Sequence, residues 1–286
     1  MTFLRVFEII HWSFQSCYEM PFSLPTAANN PLLRLRAVWA VAAVALALTA
    51  AGCTADRSEP APDPGTDYYP VALNNFWIYA VSDSTWSQAT PAQPSRVQVS
   101  NYQFRETVSE SFKDAAGQTA YRLVRARRVP PATAWVDDSV FTLSATAQSV
   151  VLGRNNLRTV ELIFPVREGR PWNLNAYNNN SNDTITAETR RYSRVAQPLA
   201  GTVGGTALTF PNTLTTANEG TAQANDIYYI RTYRQVFAKG VGPVLRRRRN
   251  FANYYLNGAG GTVTFYPGSY FYGFSRRETL VDYGPR

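Results

Sequence analysis

Histidine is almost missing from this chain: the single one, His11, lies close to the N-terminus. The rest of the sequence therefore has no Ser-His-Asp or Cys-His nucleophile, no histidine general base and little with which to hold a transition metal. Cysteine is nearly as scarce. Cys17 and Cys53 are the only ones, so the chain from residue 53 onward has no second thiol for an internal disulfide. Lysine occurs only at Lys113 and Lys239, and the formal charge of +8 is carried almost wholly by arginine. That balance favours phosphate-bearing surfaces but does not speak to fold, and a solvated arginine surface is the simpler reading. No nucleic-acid partner is expected. After Cys53 no stretch keeps a helical apolar period over several turns, which argues against helices. "GTVGG" (201–205) and "GAGG" (258–261) lack the lysine and helix context of a phosphate-binding loop.

What is present begins with an export pattern. Arg34 and Arg36 supply a positive region, "AVWAVAAVALALTA" (37–50) an apolar one, and Ala50, Ala51 and Gly52 the small residues of a cleavage site. The apolar run has signal-peptide length and falls short of the roughly 20 residues a spanning helix needs. "TAAGC" (49–53) resembles the lipobox of bacterial lipoproteins, departing from it where Ala50 stands in place of the commonest leucine. The resemblance implies cleavage between Gly52 and Cys53, a diacylglyceryl group on the Cys53 thiol and a further acyl chain such as palmitate on its amino group. Thr54 rather than Asp after the cysteine implies an outer-membrane destination. Met1 and Met20 are the only methionines, and residues 1–19 read as an upstream extension with no folding role, Met20 being the expected start.

Three regions follow. Residues 1–52 are extension and signal peptide, 53–66 the lipidated cysteine and a proline-rich, disordered tether, and 67–286 a β-rich domain. "RTVELIFPV" (158–166) alternates, placing Val160, Leu162, Phe164 and Val166 on one face and Thr159, Glu161 and Ile163 on the other. "DIYYIRTYRQVFAKG" (226–240) alternates Ile227, Tyr229, Tyr233 and Phe237, and "SYFYGFSRRETLVDYG" (269–284) puts Tyr270, Tyr272 and Phe274 together. Further strands are expected over 97–111, 119–129, 134–144, 147–152, 184–195, 243–249, 252–256 and 262–266, with turns at 114–118, 153–156, 239–243 and 257–261. Residues 167–183 and 201–226 read as longer loops, the second holding a short strand at 206–210. The fold expected is all-β: an antiparallel meander forming a curved sheet, an open barrel or a sandwich.

"YYPVALNNFWIY" (68–79) resembles the opening of a broad group of uncharacterised Gram-negative lipoproteins, and "FPVREGRPWNLNAYN" (164–178) and "FAKGVGPVLRR" (237–247) resemble its later segments. That likeness implies a lipid-anchored β-domain and brings no catalytic residue with it.

Acids offer little catalytic promise. Asp137 and Asp138 are adjacent and face opposite sides of a strand, and neither Glu106 with Glu110 nor Glu161 with Glu168 has a spacing that implies a shared cleft. These read as solvent-exposed. "NNNSND" (178–183) has one carboxylate, Asp183, and reads as a polar turn rather than a calcium loop. Asp83-Ser84-Thr85, Asp138-Ser139-Val140 and Asp183-Thr184-Ile185 resemble bacterial O-glycosylation triplets. "RRRR" (246–249) presents alternate arginines to opposite faces, either as a patch for lipid phosphates or as a charged edge strand. No catalytic, cofactor-binding or metal-binding residue is expected. The expectation is an outer-membrane lipoprotein anchored through Cys53, whose non-catalytic domain binds an envelope protein, lipid or glycan. The alternatives are a carrier of lipophilic molecules in a half-open barrel and a glycan-binding module.

Overall fold

Short runs of alternating polar and apolar residues, punctuated by Gly, Asn and Asp, pair with their sequence neighbours in this chain. The computed structural model describes residues 63–132, 134–178, 187–218 and 226–285. Among them are twelve strands: β1 Phe76–Trp86, β2 Val97–Lys113, β3 Thr119–Arg128, β4 Val136–Ala145, β5 Ser149–Arg154, β6 Leu157–Ile163, β7 Pro171–Asn173, β8 Thr189–Val203, β9 Thr206–Ala217, β10 Tyr229–Ala238, β11 Gly242–Asn257 and β12 Val263–Gly284. They form one antiparallel sheet in the order β6-β5-β4-β3-β2-β1-β12-β11-β10-β9-β8-β7. Every neighbour is a sequence neighbour except β1 with β12, which closes the meander on itself. The segment read as a signal peptide, Gly52, Cys53 and most of the stretch read as a tether lie outside the described residues.

The two ends of this order, β6 and β7, meet without a regular ladder. Val160 N–H donates to the Leu174 carbonyl (2.8 Å), and Trp172 Nε1 donates to the Val160 carbonyl (2.8 Å). Asn178 bridges to the Arg158 backbone through both halves of its amide, at 2.9 and 3.0 Å. The Tyr192 hydroxyl accepts from Ile163 N–H (2.8 Å) and donates to the Ile163 carbonyl (2.7 Å). The sheet is thus a nearly closed barrel whose seam is bridged by one backbone and several side-chain hydrogen bonds and not sealed by strand pairing. Of the architectures left open by the sequence, the structure has the barrel.

One end of the barrel is closed by the first described residues. Val166 N–H donates to the Pro64 carbonyl (3.0 Å), Gly240 N–H donates to the Asp67 carbonyl (2.8 Å), and Lys239 pairs with Asp63. Tyr69 packs its ring against Trp77 and Phe237, with centroids 5.9 and 5.8 Å apart. Asp63 and Pro64, inside the stretch read as tether, are therefore held on the domain. The strand turn beside it depends on Gly242: at φ 102° it lets Trp77 Nε1 reach the Val241 carbonyl at 2.6 Å.

Several expectations change. The strands expected at 243–249 and 252–256 are one strand, β11, and those at 262–266 and 269–284 are one strand, β12; register shifts at Ala252/Asn253 and Asn253/Tyr255 absorb the irregular stretch between. The strand expected at 206–210 extends to the twelve residues of β9, joined to β8 by Gly204-Gly205, both at positive φ as a two-residue hairpin turn requires. The loop 167–183 holds β7 and the seam contacts, and its end lies outside the described residues. Bulges also move side chains between faces. Val150 pairs with Leu162 and the next residue, Val151, with Val160, so Val160 and Leu162 face opposite sides and not one. A bulge likewise parts Tyr270, stacked on Trp86 and Phe251, from Tyr272. Ile227 and Tyr229 are exposed, whereas Phe237 is in the core.

Candidate functional site: a charged barrel interior and its outer face

A barrel of this many strands encloses more space than aliphatic side chains fill. Strand β2 turns Tyr102, Phe104, Glu106 and Val108 inward, all buried. Glu106 sits opposite Arg125 on β3 and receives Arg125 Nε at 3.1 Å together with its Nη2. Arg246 on β11 reaches the same carboxylate through Nη1 (2.9 Å) and Nη2 (3.0 Å), and Nη1 also meets Glu278 on β12 at 3.1 Å. With the Gln235 amide oriented to satisfy its neighbours, it accepts from Arg246 Nε and donates to Glu161, each at 3.2 Å. Arg125 lies over the Phe104 and Phe141 rings, and Arg246 over Tyr79.

Electrostatics follow from this geometry. Burial pushes the Glu106 carboxyl pKa up, but Arg246 and Arg125 pull it further down, leaving it well below the usual carboxylate range. Arg246 stays charged: burial works against it, and Glu106 more than offsets that. A second pair lies further along β1, where Arg276 donates twice to Asp83 at 2.7 Å and the Tyr102 hydroxyl donates to Asp83 at 2.7 Å. The first cluster balances two arginines against two carboxylates, Glu106 and Glu278. Opposite charges thus offset one another inside the barrel, and Glu106 accepts from both arginines.

This corrects the reading of Glu106 and Glu161 as solvent-exposed: both are buried, as is Glu278. The signal was parity, since Glu106 stands at the apolar phase of Tyr102, Phe104 and Val108. Glu110 pairs with Arg122 on the surface, Glu168 accepts from the Arg194 and Val195 N–H groups, and Asp137 and Asp138 are exposed on β4. Ser84 and Ser139 of the acceptor triplets lie in β1 and β4; Asp183-Thr184-Ile185 is outside the described residues. Arg246–Arg249 divide between faces as expected, but β11 is an interior strand between β10 and β12, so the edge-strand reading falls.

The outer face differs from the interior. In register across β10, β11, β12, β1 and β2 stand Arg234, Arg247, Arg277, Ser82 and Asn101. Arginines in this belt do not suit a hydrocarbon-facing surface, where each costs about 2–4 kcal/mol at the bilayer midplane. Away from the closed end, β1 finishes at Trp86, which pairs with Gly273, and β11 and β12 run on beyond it as a hairpin. Tyr254, Tyr255, Phe265, Tyr266 and Phe271 interlock along that hairpin, with Tyr266 and Tyr272 about two-fifths exposed (40% and 42%). The closed end and the hairpin are separated by the length of β1, roughly 33 Å at about 3.3 Å per residue.

A scan against protein-family models and searches of curated proteins and of solved structures give no match to this chain.

Proposed function

We propose that this chain is an outer-membrane lipoprotein, anchored through acylated Cys53, whose non-catalytic barrel presents a binding surface to an envelope component. The observation that supports it most is an arrangement of ends. The described chain begins at Asp63 on the closed end of the barrel, next to Lys239, while the aromatic β11–β12 hairpin leaves from the opposite end. A tether carrying several acyl chains would hold the closed end toward the bilayer and turn Tyr266 and Tyr272 away from it. Exposed tyrosines suit a protein partner or a sugar ring, since each offers a flat apolar face with a polar edge.

A carrier of lipophilic molecules would use the barrel interior. At the level of Tyr79 that space is occupied by Glu106, Arg125, Arg246 and Glu278, which favours binding on the outside over an acyl chain within. Metabolic labelling with radioactive palmitate tests the anchor. The chain should incorporate label and remain with the membrane fraction, and Cys53→Ala should lose both. Retention of label and membrane association in Cys53→Ala would overturn the proposal.

A further inference from the structure

We infer that the outer face of β10, β11, β12 and β1 is a binding site for a phosphate-bearing group, held by Arg234, Arg247 and Arg277 over a floor of Ser82, Ser84 and Ser275. The three arginines are direct cross-strand neighbours: Arg234 pairs with Arg247, and Arg247 with Arg277. Side chains paired this way share one face, and like charges placed directly opposite repel. The next position in the same row, Ser82, and the flanking pair Ser84 and Ser275 carry hydroxyls and no charge. Inside the barrel the arrangement is reversed, for Arg125, Arg246 and Arg276 each have a carboxylate within hydrogen-bonding distance. The fold therefore neutralises Arg125, Arg246 and Arg276 and leaves three aligned arginines outside without an acid in their row.

The six side chains line one depression of about 360 Å³ on the sheet. Arg247 and Arg277 are exposed at its rim. Arg234 is half-buried, and its Nε has no hydrogen-bond partner within the protein. Adjacent strands lie about 4.8 Å apart, so the outer two arginine backbones are roughly 10 Å apart, within reach of one shared ion. A phosphate dianion presents three terminal oxygens to guanidinium forks, a better match than a single carboxylate. The hydroxyls of Ser82, Ser84 and Ser275 supply further donors of neutral character. This site does not depend on the Cys53 anchor.

The test uses the full chain in a non-ionic detergent, titrated calorimetrically with inorganic phosphate at constant ionic strength. Saturable binding is expected, weakened about tenfold or more in the Arg247→Gln/Arg277→Gln double variant, because two charge-assisted contacts are lost. Arg96→Gln, an exposed arginine outside this row, should leave it unchanged. Thermal melting guards against misfolding: phosphate should raise the Tm of the wild type and not that of the double variant. Cosedimentation compares vesicles of phosphatidylcholine alone with vesicles that also contain phosphatidic acid. Added retention on the second, lost in the double variant and competed by phosphate, identifies a lipid headgroup as the source. Phosphate binding without that increment identifies a soluble phosphate compound. Absence of saturation, or equal binding by the double variant, overturns the inference.

Discussion

Replacing Glu106 by glutamine tests the account of the barrel interior most directly. The cluster holds two guanidinium groups, Arg125 and Arg246, against two carboxylates, Glu106 and Glu278, and is neutral as a unit. Glu106→Gln keeps the shape and leaves one net positive charge among residues that are 8% exposed or less. Arg125 then has no carboxylate partner, and Arg246 keeps only Glu278. Breaking a buried pair on one side costs about 3–5 kcal/mol. Against a total stability of about 5–15 kcal/mol that is a large share. At about 2–4 °C per kcal/mol for a domain of this size, the Tm should fall by roughly 6–20 °C. Urea titration and thermal melting followed by circular dichroism read the change. The effect should also depend on pH with a definite sign. Folding lowers the Glu106 pKa from its ordinary 4.5, so its stabilisation is fully present above that value and is lost as pH falls below it. Wild-type stability should therefore decline on acidification from about pH 4.5, and the decline should be shallower in Glu106→Gln. A loss below about 1 kcal/mol, or an unchanged acid slope, would refute the idea that this cluster is a tightly coupled buried unit.

Two further perturbations test the closed end and the seam. Gly242→Ala should destabilise by roughly 2–4 kcal/mol, because φ 102° strains any other residue and the new Cβ would lie 3.0 Å from Trp77 Nε1. Urea unfolding with tryptophan fluorescence reads both the stability and the Trp77 environment. Tyr192→Phe removes a fully buried hydroxyl that bridges β8 to Ile163, and should cost about 1–3 kcal/mol. Hydrogen exchange should then quicken at Val160 and Ile163 while the β1–β2 amides stay protected; uniform acceleration across the sheet would count against a local seam.

The alternation of the strands was plain in the sequence because one face of a strand meets the core and the other meets water. Thr206–Ala217 was harder to read, since threonines and alanines carry little contrast, although Gly204-Gly205 marked a hairpin. Faces were legible only where pairing stayed regular. One extra residue near Glu161 and another near Phe271 reversed the side on which Val160 and Tyr270 emerge, and a bulge depends on the partner strand as well as on the strand that carries it. Glu106 was detectable by parity with its apolar neighbours, but nothing near it in sequence predicted Arg246 as a partner, 140 positions away.

By itself, then, the sequence determined an all-β chain of neighbouring antiparallel strands, since local polarity and turn residues specify those. It also placed alternate members of Arg246–Arg249 on opposite faces, because a pleated strand has a period of two. Closure into a barrel was decided by the pairing of β1 with β12, a contact between opposite ends of the domain. That closure buries Glu106, Glu278, Arg125 and Arg246 together, and on the other side of the same strands it aligns Arg234, Arg247 and Arg277. Which arginines are neutralised and which stand unpaired is a property of long-range register, and no local pattern carries it.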